Sequence, residues 1–133
     1  MSKHFTLHKK QRLKSHKKIE KLFNSGLRFG VAPFRVVYQL EATTGLQMGV
    51  TVPSKIFKKA VDRNRVKRLT REAYRLQCKP LQNLLAQQQK GLSVFFIYTD
   101  KQLPDWELVR NKMPVILNKL MQIVNEAVVT NIK

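Results

Sequence analysis

One uninterrupted stretch, AVDRNRVKRLTREAYR at residues 60–75, constrains the fold more than any other part of the chain. It contains neither Gly nor Pro and is rich in helix-forming residues, so it predicts an α-helix. Apolar side chains recur on one face of that helix at i, i+3, i+7 and i+10: they are Val66, Leu69, Ala73 and Leu76. Six cationic residues occupy much of the remaining surface: Arg63, Arg65, Lys67, Arg68, Arg71 and Arg75. The helix must therefore lie against an apolar core on one side and present cations on the other.

The charge on this helix is poorly balanced. Like charges spaced i, i+3 and i+4 repel by roughly 0.2–0.5 kcal/mol per pair, and only Asp62 and Glu72 offset them. Three lysines, Lys55, Lys58 and Lys59, add to the charge just upstream. A solvated helix face is one interpretation of such a charge run. The density of uncompensated charge favours the other, a polyanionic partner.

The charge is also unevenly distributed along the chain. Of a formal net charge of +18 over 133 residues, residues 1–79 carry 20 Lys+Arg against 4 Asp+Glu, and residues 80–133 carry 6 against 4. The length fits one domain, and 43% hydrophobic residues are enough for a core. We expect a mobile basic arm at 1–14, which orders on binding, and a single domain at 15–133. The cations of this arm are Lys9, Lys10, Arg12 and Lys14.

The single cysteine, Cys78, excludes an internal disulfide and fits a reducing cytoplasm. We interpret it as a small residue near a helix end. No apolar run has the length of a signal peptide core or of a membrane span. We therefore expect a cytoplasmic protein with no membrane partner.

Apolar periodicity and turn residues predict an α+β fold in the order α-β-β-α-β-α. The elements are a helix over 15–24 ended by Gly26, strands over 34–40 and 48–52 joined by a hairpin turn, the basic helix ending near Cys78, a doubly buried strand over 92–99 and a helix over 105–128. A Gln-rich piece after Pro80 is expected to form a short helix closed by Gly91. Pro114 should kink or split the last helix. The connection containing the basic helix is expected to cross over between two strands of one mixed sheet.

Catalysis by the protein's own side chains is not expected. The three histidines, His4, His8 and His16, lie in or beside the arm, without a third metal ligand or a rigid scaffold. The carboxylates are scattered among cations, which does not suit a two-metal site. We therefore expect no metal bound tightly by the protein alone. A protein-only nuclease that uses these histidines is the rival hypothesis.

RNA is a better expectation than DNA for the partner. Asn64 is the one evident base-reading side chain on the basic face, whereas the cations suit phosphates. Ile19, Phe23 and Val37 could form an apolar trough beside Arg35, and apolar surface flanked by cations holds unpaired nucleotides. The alternative is that Ile19 and Phe23 are ordinary core residues.

The segment 62–72, DRNRVKRLTRE, resembles the RNR signature of the bacterial ribonuclease P protein subunits. Further matches to the family pattern surround it: Arg12-Leu13, Phe23 and Gly26 in the opening segment, the strand at 48–52 and the basic approach loop at 55–61. The similarity covers roughly residues 5–128. A different RNA-binding module, such as a ribosomal or chaperone protein, is the other rival.

The resemblance implies a ribonucleoprotein that removes the 5′ leader of precursor tRNA, with catalysis in an RNA subunit that binds Mg²⁺. It implies that the basic helix and approach loop bind the catalytic RNA, that the leader lies between the first helix and the sheet, and that no obligate protein partner is needed. It also implies a left-handed β-α-β crossover, an exception to the usual rule, in a sandwich resembling the second domain of ribosomal protein S5.

Carried over by position, the resemblance implies two sets of site residues. The expected RNA contacts are Arg63, Asn64, Arg65, Lys67, Arg68, Arg71 and Arg75, with Lys55, Lys58, Lys59, Lys9, Lys10, Arg12 and Lys14. The expected leader cleft is lined by Ile19, Phe23, Val37 and Arg35. Ile19 and Val37 stand where relatives often have aromatic residues, which leaves Phe23 as the main ring for stacking.

Overall fold

Four helices and a four-stranded sheet account for residues 16–132 of the computed structural model, which describes side chains for residues 16–127. The elements are α1 (His16–Ser25), β1 (Leu27–Val31), β2 (Phe34–Glu41), β3 (Gly45–Thr51), α2 (Ala60–Gln77), α3 (Lys79–Gln87), β4 (Gly91–Tyr98) and α4 (Trp106–Ile132). The expected α+β class is confirmed. The proposed arm at 1–14 lies outside the described residues.

Strand β4 lies inside the sheet, whose order is β1-β2-β4-β3. It pairs antiparallel with β2 and parallel with β3. All but one of its residues are buried, because helices cover both faces of this strand. The prediction of a doubly buried strand is therefore confirmed, and so is the crossover through the basic helix that joins β3 to its parallel neighbour. The left-handedness of that crossover stays a prediction.

The predicted hairpin between the second and third elements is wrong. Strands β2 and β3 do not pair with each other; each pairs with β4, which lies between them. The 42–44 connection consequently passes the first residue of β4, and a Cβ on Gly91 would overlap the carbonyl oxygen of Thr43. Gly45, which begins β3, has a φ of +144° that a residue with a side chain rarely adopts. Two glycines therefore allow the chain to pass β4.

Strand β1 was not predicted. Its five residues pair antiparallel with β2, from Leu27 opposite Tyr38 to Val31 opposite Phe34. The alternation of Leu27, Phe29 and Val31 is a strand signal, but the run is short and lies between Gly26 and Pro33. A two-residue turn, Ala32-Pro33, is all that separates β1 from β2.

The two faces of the sheet carry different apolar clusters. The larger one joins β2, β3 and β4 to α2, α3 and α4, and includes Phe96, Val66, Leu81 and Ile116. The smaller one is on the opposite face, where Leu22 of α1 packs against Val37 and Phe95. Helix α1 is thus the cover on the second face, and it is short enough to leave part of that face open.

The buried stripe of α2 differs from the predicted one. Val66 and Ala73 are buried as expected, but Leu76 is 52% exposed, and Thr70 and Tyr74 are buried instead. The Thr70 hydroxyl donates to the carbonyl of Val66 over 2.8 Å, which satisfies its polar group inside the core. The helix is therefore rotated from the orientation that hydrophobicity alone suggests, toward the larger Tyr74 ring.

The end of α3 also differs from expectation. Gly91 does not close the helix: α3 ends at Gln87, and Gln89 takes the left-handed conformation with φ +53°. The Gln89 amide donates to Ala86 and the Lys90 amide to Leu85, which satisfies carbonyls at the helix end. Gly91 is instead needed inside the sheet, beside Thr43.

Helix α4 is a single helix in spite of Pro114. It begins after Asp105, whose carboxylate accepts from the Leu108 amide over 2.9 Å. Pro114 has no N–H for the carbonyl four residues earlier, which belongs to Arg110. The side-chain amide of Gln77 donates to that carbonyl over 3.1 Å. The expected interruption is thus compensated by a residue of α2, and α4 is not split.

We expect Gln77→Ala to lower the free energy of unfolding by about 0.5–1.5 kcal/mol, because the Arg110 carbonyl loses its donor. The same substitution in a Pro114→Ala background should cost close to nothing, since the alanine introduced there has a backbone amide that can donate to that carbonyl. Urea denaturation of the four proteins measures both values. Equal costs in the two backgrounds would contradict the compensation.

Candidate nucleic-acid interface

The loop that leads into α2 is anchored in the core. Phe57 is 7% exposed, and its ring stacks on Tyr98 with centroids 6.0 Å apart. The amides of Ile56 and Phe57 both donate to the carbonyl of Pro53. Lys55, Lys58 and Lys59 are exposed on this loop. The three lysines therefore project from a loop that has a buried aromatic anchor.

Arg63 holds the same loop from the first turn of α2. Its Nη1 donates to the carbonyl of Phe57 over 2.7 Å and to the carbonyl of Lys58 over 2.8 Å. Arg63 was predicted as an RNA contact. In the structure its Nη1 donates to the backbone, so the residue fixes the position of the approach loop relative to the helix. The RNA contact of Arg63 stays a prediction.

The other positions of α2 that were predicted to contact RNA differ in exposure. Asn64, Arg65 and Arg68 are exposed, and Lys67 and Arg71 are half-buried. The exposed side chains and Lys67, together with the three loop lysines, form one surface, which we call the basic surface: Lys55, Lys58, Lys59, Asn64, Arg65, Lys67 and Arg68. The helix and the anchored loop bring these sequence-predicted residues together.

Arg75 is set apart from this surface. It forms a 3.0 Å ion pair with Glu72, and the two side chains are only 23% and 25% exposed. The pair is internal to one helix face, within the last two turns of α2. Glu72 thus offsets the charge of Arg75 within the chain. This ion pair distinguishes Arg75 from the other cations of α2 that were predicted to contact RNA.

The open part of the second sheet face lies beside α1. Strand register places Arg35 next to Ile97, and Ile97 next to Thr51. Val37 lies one row further, next to Phe95 and beneath Leu22, and is fully buried at 0% exposure. Val37 therefore offers no surface to a ligand, although it was predicted to line the cleft. It supports α1 instead, and Arg35 is the exposed member of the pair.

Phe23 and Ile19 are half-buried on α1, against the smaller cluster. The Phe23 ring meets Phe95 edge-on, with centroids 5.1 Å apart and planes at 70°. This contact fixes the ring while leaving part of it accessible. Ile19 and Phe23 thus pack against the core and also keep an accessible surface, so both interpretations made from the sequence apply to them.

Sequence reasoning missed several residues of this region. Arg28 of β1 lies in the row of Val37, on the α1 side of the sheet, and donates to the carbonyl of Phe23 at the end of α1. Lys17 and Lys21 add exposed cations to α1. The excess of cations in the N-terminal half was the available sequence signal. The position of Arg28, Lys17 and Lys21 beside the cleft follows only from the way β1 and α1 pack in the fold. Phe57, the loop anchor, gave no signal beyond its apolar character.

The described part of the chain has no group of three His, Cys, Asp or Glu placed to hold a metal ion. Near the basic surface the carboxylates are Asp62 and Glu72, and Glu72 is already paired with Arg75. These side chains do not fit a divalent-cation site built by the protein alone. Among residues 16–132, no helix has both the length and the apolar character of a membrane span.

Cys78 is buried at the end of α2, as expected of a small residue at a helix end. Burial raises the pKa of its thiol, which disfavours the reactive thiolate at neutral pH. The cysteine is thus part of the packing between α2 and α3.

The fold and its charge distribution define a small, strongly basic α+β protein; most of the cations among its described residues lie on one helix, on the loop before it and beside α1. A model of the ribonuclease P family matches residues 7–121. The ribonuclease P protein component of Porphyromonas gingivalis is 40% identical over 112 residues, which is 82% of each chain. That of Nitrosococcus oceani is 39% identical over 56 residues, 42% of this chain and 47% of that protein. The chain belongs to the family of ribonuclease P protein components.

Solved structures share the fold. The ribonuclease P protein of Thermotoga maritima, 24% identical, superposes with a TM-score of 0.66 over 81% of this chain and 96% of that one. The protein of Staphylococcus aureus, 20% identical, gives 0.64 over 83% and 94%. The arrangement of helices around the sheet is therefore the one these proteins have.

We expect Arg63→Met to loosen the approach loop, because two backbone carbonyls lose a charged donor. Hydrogen exchange of the Ile56 and Phe57 amides should become roughly 5- to 10-fold faster, about 1 kcal/mol of local stability. The matched control is Arg65→Met, which removes an exposed charge from the same helix and should leave these amides unchanged. Equal exchange in both variants would show that Arg63 does not hold the loop.

Proposed function

We propose that this chain is the protein subunit of a ribonuclease P, an endonuclease that removes the 5′ leader of precursor tRNA to produce the mature 5′ end. In this proposal the protein binds the catalytic RNA and the leader, and the bond is cleaved by the RNA. Family membership and the basic surface support it together. The basic surface carries most weight, because its cations are held rigidly by an anchored helix and loop.

The basic surface suits the phosphates of a folded RNA. Arg65 and Arg68 are fixed one turn apart on α2, and Lys58 and Lys59 sit on the loop that Arg63 and Phe57 hold. Preorganised cations lose less conformational entropy on binding than cations on a mobile segment. Asn64 is the side chain of this surface with both donor and acceptor groups for a base edge. The catalytic RNA is therefore the partner that we assign to α2.

The cleft beside α1 suits an unpaired strand. The accessible part of Phe23 supplies a ring for stacking, and Ile19 extends the apolar wall. Arg35 and Arg28 place positive charge on the adjacent sheet surface. Stacking together with backbone charge is how single-stranded RNA is held. We assign this cleft to the leader.

The chemistry would come from Mg²⁺ held by the RNA subunit, which supplies activated water and stabilises the leaving group. The protein's part is to bind and orient the RNA and to place positive charge near its phosphates. That charge also lowers the repulsion between two RNAs, so less Mg²⁺ should be needed in the protein's presence. We place the complex in the cytoplasm, in keeping with a single thiol that is buried. The proposal requires no obligate protein partner.

Cleavage of precursor tRNA by the cognate catalytic RNA at low Mg²⁺, with and without this protein, tests the proposal. The protein should raise the cleavage rate or the substrate affinity. No gain over RNA alone would favour a different RNA-binding role. Cleavage by RNA-free protein that is lost on substituting His4, His8 or His16 would favour the protein-only nuclease.

We expect Arg68→Ala to weaken binding of the catalytic RNA and to reduce the salt dependence. The slope of log K against log salt should fall by about 0.7–0.9, the release expected for one lost phosphate contact. Arg75→Ala is the matched control, because that guanidinium is paired with Glu72 and should change the slope much less. Filter binding across a salt series measures both variants. Equal changes in slope would show that the ion pair does not set Arg75 apart.

We expect Phe23→Leu to weaken binding of leader-bearing tRNA by roughly 1–3 kcal/mol, because it removes the stacking ring. The leucine keeps an apolar side chain against Phe95, so thermal stability should change little compared with Leu22→Ala, which leaves a cavity in the same cluster. Affinity of the holoenzyme for mature tRNA is the control and should stay constant. A loss of stability with no leader-dependent loss of affinity would make Phe23 a core residue only.

A further inference from the structure

The two edge strands of the sheet, β1 and β3, differ in how well they are covered. In β3 the side chains of Leu46, Met48 and Val50 are buried in the larger apolar cluster. In β1 every residue is exposed or half-buried, and Leu27 is 64% exposed. In the part of the chain that the structure describes, β2 is the strand that pairs with β1. The outer edge of β1 therefore presents backbone groups and apolar surface together.

One side of β1 is apolar along its whole length. Leu27, Phe29 and Val31 alternate along the strand, on the sheet face that carries the larger cluster. From α4, the Nζ of Lys119 lies 5.0 Å from the centroid of the Phe29 ring. Proteins commonly protect an edge strand with several charges, a proline or a bulge. β1 contains a single charged residue, Arg28, and no proline, so its edge can accept another strand.

The chemistry of this edge suits a polypeptide. Its N–H and C=O groups repeat at the spacing of a second extended backbone, which can pair with them along the whole strand. The sugar-phosphate chain of RNA has no matching repeat of alternating donors and acceptors. The apolar row also requires apolar side chains on its partner, which a second strand supplies at every other residue. The partner is therefore an extended segment with one apolar side.

The sequence of β1 is complementary to a second copy of itself. In an antiparallel pair with its two-fold axis at Phe29, Leu27 of one copy lies opposite Val31 of the other, and the two Phe29 rings are adjacent. Arg28 lies opposite Gly30, where the described residues leave open space around the position of a Cβ. The charged residue of the strand thus meets the residue that has no side chain.

Other registers of the same pair are less favourable. A shift of two residues in one direction places Arg28 opposite Arg28, and like charges directly opposite each other destabilise a strand pair. The same shift in the other direction places Leu27 and Arg28 opposite the turn residues that follow β1. One register therefore pairs the whole strand without opposing like charges.

The net charge of the chain opposes this pairing. Each copy carries a formal net charge of +18, and Lys119 of each copy lies close to the axis because it lies over Phe29. Salt screens such repulsion: the screening length is about 10 Å at 0.1 M salt and about 3 Å at 1 M. Pairing through β1 should therefore strengthen as salt rises, whereas RNA binding weakens with salt.

We propose that β1 is the interface of a two-fold dimer of this chain, in which antiparallel β1–β1 pairing joins the two sheets into one. The interface contains five strand residues from each copy, so the dimer is weak and reversible. The basic surface stays open in it, because the approach loop follows β3 at the other edge of the sheet. The inference goes beyond the function proposed above and does not rest on it.

Sedimentation velocity of the full-length protein at roughly 0.1 M and 1 M NaCl tests the dimer. The weight-average sedimentation coefficient should rise with protein concentration, and more steeply at the higher salt. Leu27→Lys should remove the rise, because it places a charge opposite Val31 of the other copy. The matched control is Leu76→Lys, which adds the same charge at a 52% exposed position of α2 and should leave the rise unchanged. A wild-type protein that stays monomeric at both salt concentrations would overturn the inference, as would equal effects of the two variants.

Disulfide cross-linking tests the register. An oxidised equal mixture of Leu27→Cys and Val31→Cys should form a covalent dimer, because these positions lie opposite each other across the axis. Leu27→Cys alone should form little, since its two thiol positions are about 14 Å apart along the strands, beyond the Cα separation of about 4.4–6.8 Å that a disulfide spans. The wild-type protein, whose Cys78 is buried, is the control. Cross-linking of Leu27→Cys with itself as readily as with Val31→Cys would contradict the antiparallel register.

Binding of the catalytic RNA distinguishes the other possible occupant of this edge. Leu27→Lys should bind that RNA as the wild type does in low salt, where the protein is monomeric. A change in RNA affinity for this variant, together with a wild-type protein that does not dimerise, would assign the edge to RNA and overturn the inference. Failure of the protein to assist cleavage would reject the proposed function and leave the dimer standing.

Discussion

The structure depends on one strand that is apolar on both faces. Both faces of β4 carry mainly apolar side chains, so helices must cover the strand on both sides of the sheet. The larger cover is made by α2, α3 and α4, and the smaller by α1. Every part of the proposed site follows from this arrangement, because the basic helix belongs to the first cover and the cleft borders the second.

The same strand determines how the chain is connected. Since β4 pairs with both β2 and β3, the chain must leave β2, pass the end of β4 and return on its other side. This passage requires Gly91 beside Thr43. The crossover from β3 to β4 then carries the basic helix, whose entrance loop is fastened by Phe57 and Arg63. Cations are thereby held at one end of the strands.

Much of this was predictable from the sequence, for identifiable physical reasons. Helices were found where a long apolar stripe runs opposite charge, as in α2 and α4, and β4 was found because its side chains are apolar throughout. Strand pairing was not predictable. β2 and β3 each have one apolar face, which a hairpin would bury equally well, and only the position of β4 between them decides which strands pair. Leu76 was predicted to be buried because the hydrophobicity pattern takes no account of the size of the Tyr74 ring. It also takes no account of the hydrogen bond that the Thr70 hydroxyl can make to the backbone of its own helix.

Site residues were predicted by charge, and charge does not distinguish an exposed cation from a committed one. Arg68, Arg63 and Arg75 look alike in the sequence, yet one is exposed, one holds a loop and one is paired with Glu72. Val37 illustrates the same limit for apolar residues. The alternation of side chains along the strand predicts the face of the sheet on which Val37 lies, but it does not predict that α1 covers this position. The family resemblance correctly identified the family and the class of fold, and the packing then sorted the individual residues.

The central claim is that the fold holds one basic surface against a catalytic RNA. Lysine acetylation of the protein, free and bound to that RNA, followed by mass spectrometry, tests it most directly. Lys58 and Lys59 should be protected in the complex, whereas Lys79, which is exposed at the start of α3, should react equally in both states. Protection of Lys79 without protection of the two loop lysines would contradict the account.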